Sequence, residues 1–107
     1  MIPVPQLYDD ETNLDALART PEAVAILEAV ATAHRHMRPA TTRSVMKHTG
    51  LSESVVRHRA MALFNGKYLH LANPTQGQIP ESYQMRAKGW TLVKGAPPYG
   101  WEEGNLV

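Results

Sequence analysis

The chain has no cysteine, one phenylalanine and only 7% aromatic residues in 107 positions. Without thiols it can form no disulfide, no thiolate metal site and no thiol nucleophile. No apolar run approaches the roughly 20 residues that a membrane-spanning helix needs. The opening MIPVPQLYDDE lacks both the positive and the apolar stretch of an export signal, so a cytoplasmic location away from membranes is expected. Glycine-rich phosphate loops, nucleophile elbows and carboxylate pairs are also missing. Asp9, Asp10 and Glu11 form an acidic stretch read as exposed rather than as a catalytic cluster. Neither an enzyme nor a bound cofactor is expected. Five histidines are present, but His34 and His36, two apart on a helix, point about 160° away from each other. The other three show no ligand spacing, so no metal site is expected and His34 reads as a core-edge histidine with a satisfied hydrogen bond.

What is present fits one soluble domain with one core, at 43% hydrophobic and 20% charged residues. The net charge of +1 conceals a strong segregation along the chain. Residues 1–28 carry −5, residues 29–94 carry +8 and the remainder carries −2. A basic middle is the footprint expected of a partner for a polyanion; a solvated basic surface without a partner is the competing explanation.

Pro3 and Pro5 suggest an extended arm, with a short helix after Thr12 built on Leu14 and Leu17, so that residues 1–19 precede the main domain. Thr20-Pro21-Glu22 is a helix start: a capping hydroxyl, a proline tolerated in the first turn and an acid suited to the helix dipole. Ala23, Ile26, Leu27, Val30, His34 and Met37 then share one face until Pro39 stops the pattern. Thr41 or Thr42 can cap a short helix running through His48, with Val45 and Met46 inward. Gly50 suits a turn of positive φ, and Leu51 can plug the core beneath it. Ser52 caps the next helix, on which Val56, Ala60 and Leu63 share a face. After Asn65-Gly66 the period changes: KYLHLA and SYQMR alternate as strands do, on either side of the turn-rich NPTQGQIPE. Trp90, Leu92 and Val93 form a last apolar patch. Residues 95–107, rich in proline, glycine and acid, read as a flexible tail.

Three helices followed by a β-hairpin give a mainly α, α+β fold in the order of a winged helix-turn-helix over residues 20–94. The stretch TGLSESVVRHRAMALFNGKYL, Thr49 to Leu69, resembles the turn and recognition helix of bacterial MarR- and ArsR-type transcriptional regulators. YQMRAKGWTLV, Tyr83 to Val93, is similar to the segment that closes the wing in those proteins.

The resemblance implies that the helix from Ser52 to Asn65 enters the major groove of double-stranded DNA. Ser54, Arg57, His58 and Met61 lie opposite its core face and are the candidates for base contact. Arginine can donate two hydrogen bonds to guanine, serine and histidine can bond base edges or phosphate, and methionine can pack on a thymine methyl. A polar solvent face is the alternative for these four. Thr42, Arg43 and Lys47 on the preceding helix are expected at phosphates, as are Arg86 and Lys88 after the hairpin. Gln76, Gly77 and Gln78 at the tip of the wing can approach a minor groove, or simply form a solvent loop.

A sequence-specific, nucleoid-associated transcriptional regulator is therefore expected, of the repressor kind that blocks promoter access. Its small size resembles regulators of phages and mobile elements. A homodimer on paired half-sites is implied, with the interface at Leu7–Leu17 or Tyr99–Trp101 because no long helix follows the wing. The alternative is a winged-helix module of a replication or phage assembly that binds protein through the same helix or its termini.

Overall fold

The computed structural model describes residues 11–72 and 82–106. The chain is mainly helical, with a small antiparallel sheet. In order it forms α1 (Glu11–Ala18), α2 (Pro21–Arg35), β1 (Ala40–Thr41), α3 (Thr42–Thr49), α4 (Glu53–Asn65), β2 (Leu69–Ala72), β3 (Ser82–Met85) and α5 (Ala87–Trp90), then a single 3-10 turn at Glu103–Asn105. None of the described helices is long and apolar enough to cross a membrane.

Helix α2 begins as its sequence dictates: the Thr20 side chain accepts from the Ala23 amide at 3.4 Å, and Pro21 opens the first turn. Ala23, Ile26, Leu27 and Val30 are fully buried along one stripe. The helix ends at Arg35, before Pro39, and Met37 takes a left-handed φ of 58° as the chain leaves it.

The sheet has the order β1-β3-β2, with Tyr83 of β3 opposite Ala40 on one side and Leu71 on the other. Strand β1 was not expected; two residues are too few for alternation to reveal. Tyr68, Leu69, Tyr83 and Met85 seal the sheet against α2 and α4 in one core cluster with Val45, Val56 and Leu63. Burial of apolar area at this scale supplies the main stabilising term for the fold.

Polar contacts lock the periphery. The Tyr68 hydroxyl donates to Asp15, fixing α1 to the corner where α4 meets β2. That hydrogen bond, more than the nearby Lys88, holds the Asp15 carboxyl below the ordinary carboxylate range. His34 accepts the Met85 amide at Nε2, 3.0 Å away, and burial pushes its pKa below the usual histidine value.

The segment after Lys94, whose composition suggests a flexible tail, makes tertiary contacts with the rest of the fold. Trp101 packs edge-on against Trp90 with centroids 5.8 Å apart, and Arg35 lies 5.2 Å over the Trp90 ring while donating to the Lys94 carbonyl at 2.7 Å. Glu103 accepts the free amide of Ala87 at 2.6 Å, and that bond, followed by Arg86, lowers its pKa. Two tryptophans and a capping carboxylate outweigh the local preference of a proline- and glycine-rich stretch.

Candidate nucleic-acid interface

Helices α3 and α4 present the candidate surface. Thr41 caps α3 in a reciprocal box with Ser44: the Ser44 amide donates to the Thr41 hydroxyl at 3.1 Å, and the Thr41 amide donates to the Ser44 hydroxyl at 2.8 Å. The helix ends at Gly50, whose φ of 76° is the left-handed cap that glycine accepts without steric cost. Leu51 packs against the core beneath this turn. Ser52 then caps α4 by accepting the Val55 amide at 3.3 Å. Two capped helices with a tight turn between them fix the outward face of α4 through the burial of its inner one.

Val56, Ala60 and Leu63 are buried, and Ser54, Arg57, His58 and Met61 are exposed, as the helical period requires. Arg57 is held by Glu53, one turn earlier, at 3.0 Å. Both side chains are solvent-accessible, so the pair is weak and can open toward a better acceptor. Ser54 and Ser52 share a hydroxyl contact of 3.3 Å. Phe64 continues the same face with Met61, and the two are 39% and 49% exposed. The sequence reading missed Phe64 because it lies at the edge of the arc, where a 100° step leaves its side ambiguous.

The expected phosphate contacts divide into two groups. Arg43 and Lys47 stand exposed on α3 and make no ion pair with any described residue. Thr42 is a correction, whereas Arg86 and Lys88 are part-exposed and already engaged within the chain. Thr42 is buried, and its hydroxyl lies 2.6 Å from that of Tyr83 inside the core, so it is a packing residue. Arg86 is half-buried and pairs with Glu103 at 3.4 Å. Lys88 lies 3.4 Å from Asp15 and 3.2 Å from the Gly66 carbonyl, with its ammonium 4.4 Å over the Tyr68 ring. Both cations are engaged within the chain, just after β3. Their acidic partners are remote in sequence, so no local pattern announces the pairing. Gln76, Gly77 and Gln78 lie outside the described residues.

These internal pairings change the electrostatic balance. Acids of the flanking segments neutralise Arg86 and Lys88, and Glu28 is occupied with the Lys94 amide at 3.0 Å. Arg38, Arg43, Lys47 and Arg59 make no ion pair with described residues, leaving positive charge concentrated around α3 and α4. Such charge attracts an anionic partner over about a Debye length, roughly 10 Å at moderate salt.

Among the described residues, no three of His, Asp and Glu come together as a metal-ligating group. Comparison of the chain with protein-family models, with curated proteins and with solved structures gives no match.

Proposed function

We propose that this chain is a winged helix-turn-helix transcriptional repressor that binds double-stranded DNA sequence-specifically, with α4 in the major groove. The observation that carries the proposal is the outward face of α4. It offers Ser54, Arg57, His58 and Met61 beside the uncompensated Arg43 and Lys47 of α3. Arginine, serine, histidine and methionine on a helix fit the mixture of donors, acceptors and thymine methyls in a major groove. Cations on the adjoining helix fit the phosphates that border it. The succession of α2, α3 and α4 with the antiparallel β2 and β3 supports the winged architecture.

Binding as a homodimer to paired half-sites belongs to the same proposal. The inward side of α1 is already used within the chain, where Ala18 is buried and Asp15 engages Tyr68 and Lys88. A dimer contact therefore falls to the outer side of α1 or to the exposed Tyr99.

Selection of bound sequences from a random duplex pool tests the function. Enrichment of one motif supports it, with twofold symmetry reporting the dimer, whereas absence of enrichment together with no duplex binding at low salt contradicts it. The exposed Met61 and Phe64 favour a second reading, in which the C-terminal half of α4 docks on a protein of a replication or phage assembly. In that case Phe64→Ser abolishes the protein complex and leaves duplex binding, if any, unchanged.

A further inference from the structure

The last turns of α2, the turn that follows them and one side of α3 enclose an open cleft of about 290 Å³. His36, Arg38, Lys47 and His48 all line it, and no carboxylate does. None of these four side chains pairs with a described residue. From the structure we infer that this cleft is a binding site for a phosphate group.

Helix ends explain only part of the charge. His36 is the C-cap of α2, and Lys47 and His48 lie in the last turn of α3. A helix C-terminus carries roughly half a negative charge, so the two ends together offset about one positive charge. Arg38 and Lys47 alone bring two cations to the cleft. A positive surplus remains in a concave site.

The donors suit a tetrahedral oxyanion. A guanidinium offers a planar fork of N–H groups, an ammonium offers three rotatable donors, and both pair well with phosphate. Thr32 also lines the cleft. Ser44 contributes less, because its hydroxyl is already engaged with Thr41 in the cap. The phosphate can belong to a nucleic-acid backbone or to a small phosphate ester. The site does not depend on α4 entering a groove.

An amide chemical-shift titration with inorganic phosphate, against sodium chloride of equal ionic strength, tests the inference. Saturable shifts confined to residues 32–38 and 44–48 are expected. Arg38→Ala and Lys47→Gln should each weaken binding about two- to fivefold, the range for exposed charge contacts, while Lys94→Ala leaves it unchanged. Shifts that chloride reproduces, or that all three variants retain alike, overturn the site. A short duplex added to the phosphate-loaded protein then identifies the source. Displacement of phosphate assigns the cleft to backbone contact; duplex binding without displacement, or no duplex binding at all, assigns it to a small phosphate ester. In the last case the DNA-binding proposal fails and the cleft stands.

Discussion

The hydroxyls of Thr42 and Tyr83 meet at 2.6 Å in the core, joining the first turn of α3 to the central strand of the sheet. Because Tyr83 is fully buried, water cannot replace a lost partner there. Tyr83→Phe should therefore lower unfolding free energy by about 0.5–1.5 kcal/mol, and more if the Thr42 hydroxyl finds no other acceptor. Denaturant titration of this variant, of Thr42→Val and of the pair forms a double-mutant cycle. The losses are expected to be less than additive; strict additivity would show that the two hydroxyls are not coupled.

Gly89 marks a second close approach. A Cβ at this position would lie 2.3 Å from the Tyr68 carbonyl oxygen and 3.3 Å from the Met85 side chain. Gly89→Ala must push α5 away from the sheet, at a cost of about 1–3 kcal/mol, as for an overpacked core. Trp90, which follows directly and is nearly buried, should then show a red-shifted emission. An alanine variant with the parent's stability and emission contradicts this packing.

Acid should loosen the molecule in two stages. His34 accepts the Met85 amide only while its Nε2 is unprotonated, and burial lowers its pKa from the ordinary 6.5. The unfolded chain thus takes up this proton at higher pH than the folded one. Its contribution is intact above pH 6.5 and is lost as pH falls through the lowered folded value. His34→Gln, which keeps an acceptor but does not titrate, should flatten stability in that window. Asp15 and Glu103 also have lowered pKa values, so their contributions fade below the ordinary 3.8 and 4.5. An unchanged slope between about pH 6.5 and 5 in the glutamine variant would mean that His34 is not the group responsible.

Helices were the most legible elements, because their signals are local. Thr20-Pro21, Gly50 and Ser52 mark boundaries that hydrogen bonding or backbone conformation realises in place. The periodic placement of Val56, Ala60 and Leu63 similarly fixes which side of α4 is buried. Partners separated by long stretches of chain were not legible. Thr42 with Tyr83 removes a residue from the expected phosphate surface, Lys88 with Asp15 and Arg86 with Glu103 engage two more, and only the tertiary fold brings these pairs together. The basic cleft was hidden for the same reason: His36 and Arg38 meet Lys47 and His48 across two elements.

In the proposed complex, α4 reads bases while α3 anchors phosphate. Fluorescence anisotropy of Arg57→Ala and Lys47→Ala, on the preferred duplex and on a random one across a salt series, tests it most directly. Arg57→Ala should weaken the preferred site by about 1–3 kcal/mol and affect random duplex much less, because it removes a base contact. Lys47→Ala should weaken both duplexes alike and reduce the log–log salt slope by about one per subunit. Equal losses on both duplexes for Arg57→Ala would contradict base reading by α4, and no loss from either substitution would contradict DNA binding by this face.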